Sequence, residues 1–280
     1  MSFAKIKSNA KINLALNIIG KSEKLHKIES LIAFIEFHDL ILIKKIKSKD
    51  HRIIFNGRFS KNINSINTVS KLLKILEKKK LIDQKYFIKI TKNIPQESGL
   101  GGGSMNAANI LKYFLKREIV KMNSKQILEV AEYVGSDVIL GLDSTNSILT
   151  SKKKIKRYRN CKKLFTLVVK PSFGCSTKEI YSYVKKFDKA KFFNPKKKMF
   201  NLGYLRKTNN SLENIASKKY PVLSKLKSYL NNLEKPIFVR MSGSGSAFIA
   251  YYASKRQCDM AQKQFNKHHK KYWCISSKTI

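Results

Sequence analysis

Acidic residues are scarce in this chain. Only 18 aspartates and glutamates stand against 58 lysines and arginines, for a formal net charge of +40 over 280 residues. Such an imbalance first suggests a polyanionic partner. The way the charge is spread argues against a dedicated nucleic-acid binder. Lysines occur in nearly every block of the sequence, and the short runs at 78–80, 152–154 and 196–198 read as solvated faces or loops. Arginine-rich segments and aromatic-interleaved RNA motifs are missing. A proteome-wide bias toward Ile, Asn and Lys would give this composition without any functional demand. The positive field still has one physical effect, which is to draw in phosphorylated small molecules.

Cysteine is as sparse. Cys161, Cys175, Cys258 and Cys274 form no C-x-x-C pair and have no histidine at metal-ligand spacing, so neither a zinc site nor a disulfide framework is expected. No apolar run approaches the roughly 20 residues of a membrane span. The opening MSFAKIKSNAKINLAL sets lysines before an apolar stretch, but Asn13 and Asn17 break it and no small-residue cleavage site follows. No signal peptide is expected, and the expected location is cytoplasmic. The hydrophobic fraction of 42% is ordinary for a globular protein. The length suits one large or two ordinary domains with a real core.

Periodicity supplies the elements. Residues 5–19 alternate as a strand with Ile12, Leu14 and Leu16 on one face. Residues 30–46 are apolar and β-branched and read as one or two strands broken near 37–39. Residues 51–55 and 86–91 read as strands. Val69, Leu72, Leu73 and Leu76 have helical spacing within 65–80, with Ser65 or Asn67 as N-cap. Helices are expected from about 105 to 116 and over 124–134, the latter capped by Ser124. The polar stretch 149–156 marks a boundary, giving domains 1–153 and 154–280. Beyond it come a strand at 164–170, a short helix at 178–186 and a helical stretch at 211–233 interrupted by Pro221. Strands at 236–241 and 247–251 flank MSGSGS, and a helix spans 254–267. No internal repeat is found. This mixture of strands and paired helices predicts an α+β fold, two layers per domain.

Of only 12 glycines, four crowd into the five positions Gly99–Gly103, within PQESGLGGGS. Glycines free the backbone for conformations closed to other residues and let main-chain N–H groups approach an anion. The helix that follows adds the positive end of its dipole. Together these make a polyphosphate cradle, with the Ser104 hydroxyl at the helix start in reach of a phosphate or a cation. The loop is not a Walker A sequence: a GKS does occur at 20–22, but Ala15 stands where the earlier glycine is required. Nor is it a Rossmann fingerprint, since the third glycine is missing.

Pro95-x-x-x-Gly99-Leu100-Gly101-x-x-Ser104 resembles the phosphate-binding motif of the GHMP kinase superfamily. Asn9-Ala10-Lys11-Ile12-Asn13-Leu14 resembles that superfamily's first motif, and Met241-Ser242-Gly243-Ser244-Gly245-Ser246-Ala247 its third. The three stand in the expected order across nearly the whole chain. Within the superfamily the chain looks most like the 4-diphosphocytidyl-2-C-methyl-D-erythritol kinase family, through Leu25-His26-x-Ile28-x-Ser30, the full run Gly99–Ala108, and Gly135-Ser136-Asp137-Val138. Asn9 stands where proline is usual, Lys24-Leu25 where the family has a glycine and a base-stacking tyrosine, and Ile139 where a proline follows the aspartate motif.

The resemblance implies a two-domain GHMP kinase fold, its N-terminal domain like that of some ribosomal proteins and its C-terminal domain a ferredoxin-like α/β sandwich. It implies phosphorylation by ATP, with Mg²⁺, of the 2-hydroxyl of a cytidylated methylerythritol. Asp137 would be the base and Lys11 its partner. Asn67, Lys92, Pro95 and the loop Gly99, Leu100, Gly101, Gly102, Gly103 and Ser104 would hold the nucleotide, with Ser104 the candidate metal ligand and no dedicated metal site. Asn13, His26, Thr177, Tyr181, Ser242, Gly243 and Gly245 would hold the alcohol, His26 on the cytosine edge and Tyr181 stacked on its face. The alternatives are a GHMP kinase acting on homoserine, mevalonate or a sugar, and a basic nucleic-acid-binding protein on a related fold. Monomer and homodimer both remain open.

Overall fold

The computed structural model describes residues 2–22, 25–152 and 154–280; Lys24 and Lys153, named above, lie outside them. The chain divides into two compact units. One comprises 1–11, 37–96 and 101–144, the other 12–36, 97–100 and 145–280. Two long paired strands, β1 (Ala4–Lys21) and β2 (His26–Ile46), contribute residues to both.

In the first unit, β3 (Arg52–Asn56) runs parallel to β4 (Lys85–Thr91), and β4 pairs antiparallel with β2 from Leu40↔Thr91 to Ile46↔Lys85. Helices α1 (Thr68–Lys78), α2 (Gly102–Lys116) and α3 (Ser124–Val134) and the short α4 (Val138–Gly141) complete it. Its core brings Ile41, Ile43, Ile88 and Ile90 of the strands against Leu72 and Leu76 of α1, Leu111 and Phe114 of α2, and Val130 of α3. Each such fully buried aliphatic side chain contributes about 1.5–3 kcal/mol.

The second unit holds β5 (Asn146–Leu149), paired with β2 at Ser30↔Leu149, and β6 (Ile155–Tyr158), paired with β5. The stretch 149–156 read as a polar boundary takes in the end of β5 and the start of β6. A separate antiparallel sheet is formed by β7 (Phe165–Lys170), β8 (Phe238–Met241), β9 (Phe248–Tyr252) and β10 (Trp273–Lys278), in the order β10-β7-β9-β8. Around it lie α5 (Thr177–Ser182), α6 (Leu202–Arg206), α7 (Ser211–Lys219), α8 (Pro221–Asn231) and α9 (Lys255–His268). Pro221 opens α8 at its first position, where its missing N–H costs nothing.

Four local expectations change. β2 runs without a break through 37–39, since Asp39 is fully buried and its carboxylate is satisfied there. α2 begins at Gly102 rather than Met105, because tertiary contacts hold the glycines helical. The cap of α3 is Asn123, not Ser124: its side chain accepts from the Gln126 N–H, and the Gln126 amide accepts from Asn123 N–H. The helix expected over 178–186 is the shorter α5. Strand β10 carried no recognised signal; its pairing with β7 supplies the order.

Candidate active site

Lys11 lies on β1 and is 5% exposed. Its Nζ is 3.1 Å from Asp137 Oδ2. Asp137 precedes α4, yet its side chain makes no capping bond to that helix. The carboxylate is therefore spent on Lys11 and not on local structure, and it remains partly open to solvent. The Lys11 ammonium holds the carboxylate in place, and a carboxylate oxygen is a group that can accept a proton.

The glycine loop lies against the same lysine. Gly101 has φ +69° and is the N-cap of α2. A Cβ there would fall 2.8 Å from Lys11 Cγ and 3.0 Å from its Cε. Left-handed backbone and close approach together require glycine. The hydrogen-bond ladder of α2 begins at Met105, whose N–H donates to Gly101 O at 2.9 Å. The N–H groups of Gly102, Gly103 and Ser104 precede that ladder, and no acidic residue occupies the first turn. They form the positive end of the helix, suited to an anion. Ser104 Oγ lies 3.5 Å from where a Cβ on Gly135 would sit, so its hydroxyl faces the Gly135–Asp137 segment.

Thr68 Oγ1 donates to Gly103 O at 2.7 Å, which ties the start of α1 to the start of α2. Asn67 caps α1 with a full capping box, its Oδ1 accepting from Val69 and Ser70 N–H and its Nδ2 donating to Asn64 O and Ser65 O. It also lines a pocket of about 360 Å³ with His51, Ile53, Phe55, Ile63, Asn64 and Ser65. Lys92 and Pro95 are not among those lining residues. The Lys92 ammonium is buried in an ion pair with Asp39 and lies 3.0 Å from where a Cβ on Gly102 would sit; Pro95 is buried at the loop's entry.

In the second unit the loop's first half meets the third motif. Gly99 has φ +74°, and a Cβ on it would fall 1.9 Å from the Ser242 carbonyl oxygen. Ser242 Oγ donates to Gly99 O at 2.9 Å and accepts from Asn13 N–H at 3.2 Å. Asn13 Nδ2 donates to Ser30 Oγ at 2.8 Å. Leu100 is fully buried, so its side chain serves packing. Ser244 Oγ and Thr177 Oγ1 are 3.0 Å apart, which places the start of α5 on the third-motif loop. Gly243 and Gly245 both have positive φ. Cys175 Sγ lies 3.5 Å from where a Cβ on Gly245 would sit, but burial pushes its thiol up to about 11, so it is no nucleophile at neutral pH.

The His26 ring is 5.1 Å from that of Tyr181 and 6.5 Å from that of Phe187, which is half-exposed. Burial first, and the Lys21 ammonium second, hold His26 below the ordinary histidine range. The imidazole is thus neutral at neutral pH, with one donor and one acceptor nitrogen. Leu25 beside it is 65% exposed.

Sequence reasoning missed the braces of this geometry. Asn210 Nδ2 donates to Met241 O and Gly243 O, each at 2.8 Å, and Glu213 accepts from Met241 N–H at 2.9 Å, so α7 and its cap hold the third-motif loop. Phe187 lies in irregular chain and carries no periodic signal. Asp39 was visible only as a lone carboxylate inside an apolar run.

Among the described residues no helix is long and apolar enough to cross a membrane, and no group of three or more metal-ligating side chains is found. The GHMP kinases N terminal domain family matches residues 67–148. Over 281 aligned residues, covering all of both chains, the sequence is 52% identical to a 4-diphosphocytidyl-2-C-methyl-D-erythritol kinase of Pelagibacter ubique. It is 32% identical to the protein of that name from Clostridium beijerinckii, with 95% of this chain and 97% of the other covered. A crystal structure of 4-(cytidine 5'-diphospho)-2C-methyl-D-erythritol kinase is similar at TM-score 0.79 and 21% identity, covering 99% of this chain and all of that one. A homoserine kinase from Cytophaga hutchinsonii is similar at TM-score 0.72 and 16% identity, covering 100% and 95%. These two structures show the fold, the α+β architecture of the GHMP kinases. Joined to full-length identity above one half, the motifs and fold lead to one family: the chain belongs to the 4-diphosphocytidyl-2-C-methyl-D-erythritol kinases of the GHMP kinase superfamily.

Proposed function

We propose that this chain transfers the γ-phosphate of ATP to the 2-hydroxyl of 4-diphosphocytidyl-2-C-methyl-D-erythritol, a step toward isoprenoid precursors. The observation that carries the chemistry is the Lys11–Asp137 pair lying against Gly101. The acceptor is carried by the 52% identical relative of that name. Asp137 takes the proton of the attacking hydroxyl as its oxygen bonds to the γ-phosphorus. The bond from that phosphorus to the β–γ bridging oxygen breaks, and ADP leaves. Lys11 holds the Asp137 carboxylate in place and orients the alcohol. Little covalent work falls to the protein in such a transfer; positioning and charge neutralisation do most of it.

The N–H groups at the start of α2 hold the phosphates, and the pocket beside Asn67 takes the base, with Lys92 and Pro95 supporting the strand and loop that lead to α2. Mg²⁺ would accompany the nucleotide and supply charge neutralisation at its phosphates, and Ser104 is the hydroxyl that would help hold it. His26 reads the edge of the cytosine, and Tyr181 with Phe187 offers aromatic faces for it. Asn13, Thr177, Ser242, Gly243 and Gly245 hold the rest of the alcohol. The division at 1–153 and 154–280 into nucleotide-binding and C-terminal domains, and a cytoplasmic location, belong to this reading.

The test is ADP release with MgATP and a panel of alcohols. Cytidylated methylerythritol is expected to give the highest kcat/KM. Preference for homoserine, mevalonate or a sugar would replace the acceptor and leave the kinase standing. Salt-sensitive RNA binding without ATP turnover would remove the kinase.

A further inference from the structure

We propose that Asp39 is a positioning residue of the nucleotide site, an acceptor that helps fix where α2 begins. The proposal rests on the reading that the start of α2 holds ATP phosphates.

Asp39 sits in the middle of β2 with 0% exposure. Its Oδ1 accepts from the N–H groups of Asn93 and Ile94, both at 2.8 Å. Its Oδ2 accepts from Asn106 Nδ2 at 2.9 Å and pairs with the Lys92 ammonium. Four donors from three elements thus converge on one carboxylate: the end of β4, the lead-in to the glycine loop, and the second turn of α2. Asn93 Nδ2 adds a bond to His38 O at 2.9 Å, which closes the same junction.

The geometry at Gly102 links this hub to the site. A Cβ on Gly102 would lie 3.0 Å from Lys92 Nζ and 3.0 Å from Ile94 Cγ2. The residues against which Gly102, the first residue of α2, packs are therefore ones Asp39 holds, one by charge and one by its backbone. Asn106, one turn further on, is held directly. Asp39 touches no reacting atom in this scheme; it acts through where it places the N–H groups of Gly102, Gly103 and Ser104. A carboxylate with both oxygens doubly used has no neutral equivalent. In Asp39→Asn one face becomes an NH₂ group, so either the loop amides or the Lys92–Asn106 pair meet a donor instead of an acceptor.

The experiment titrates MgATP alone, without alcohol, into the wild type, Asp39→Asn and Asn106→Leu, and follows with steady-state kinetics and thermal melting. Asp39→Asn is expected to weaken MgATP binding at least ten-fold, and Asn106→Leu, which removes one of four donors, three- to ten-fold. The KM for the alcohol at saturating ATP is expected to stay within two-fold in both. Lowered melting with wild-type MgATP affinity would overturn the proposal and leave Asp39 a purely structural ion. So would parallel rises in both KM values, the mark of a loosened fold. If Asp39→Asn does not fold, Asn106→Leu decides by the same criteria. If the wild type binds no MgATP, the kinase reading fails and the positioning role falls with it; wild-type binding with unaltered variants sinks the positioning role alone.

Discussion

Lys11 Nζ lies 3.1 Å from Asp137 Oδ2, and the stem of the same lysine fills the space that any side chain at Gly101 would need. One residue of the N-terminal motif thus touches both the aspartate motif and the glycine loop. Both segments lie about ninety residues or more along the chain from the lysine on which they meet. The chemistry assigned to each can be tested separately because each contact is distinct.

Asp137→Asn removes the proposed base and keeps its size. Turnover is expected to fall by about 10²–10⁴. MgATP affinity should stay within about three-fold, since Asp137 is not part of the loop. Steady-state kinetics with a separate nucleotide titration checks both. Near-normal turnover would take Asp137 out of the reaction.

Gly101→Val has two costs. Left-handed backbone costs a non-glycine residue roughly 1–2 kcal/mol. The new side chain also displaces Lys11. Nucleotide binding and kcat should both drop, each by at least about ten-fold on that strain. Gly203→Ala is the control: nothing lies within 4 Å of its Cβ position, and alanine in that helix should raise stability by roughly 0.5–1 kcal/mol. Melting curves and MgATP titrations of the two variants separate general from local damage.

The pH dependence follows from His26. Burial, then Lys21, lowers its pKa, so it is neutral at pH 7 and gains a proton only as the medium becomes acidic. Protonation turns its acceptor nitrogen into a donor and adds a positive charge. The KM for the alcohol should therefore rise as pH falls below roughly 6.5. His26→Gln should weaken binding but flatten that limb. Since the folded ring binds a proton less readily than the unfolded one, its contribution to stability is lost in the same acid direction. A KM profile unchanged by the substitution would remove His26 from the base subsite.

A net charge of +40 makes capture of anionic substrates depend on salt. Raising ionic strength past 0.1 M, where the screening length is about 10 Å, should lower kcat/KM while leaving kcat nearly constant. Initial rates across a salt series give the answer.

Most residues that touch chemistry in this reading were legible in the sequence, because motifs mark them. Asn67 as a cap was legible for a different reason: its side chain acts within three residues, where sequence carries the whole signal. The braces were not. Asp39, Asn210 and Glu213 act on partners 53–67, 31–33 and 28 positions away, respectively, and no local pattern encodes those distances. The same holds for β2, whose expected break fell near an acidic residue that long-range donors make comfortable. The glycines that open α2 are poor helix formers taken alone. Packing against Thr68, Lys92 and Ile94 overrides that preference.

The contact of Gly99 with the Ser242 carbonyl bears on how such a chain can diverge. The obstacle to a side chain at 99 is main chain, which every amino acid shares. Exchanging Ser242 for something smaller would give no relief. Variation at 99 has to wait for a rearranged backbone at 242, so these two stretches, far apart in the gene, can drift only in concert.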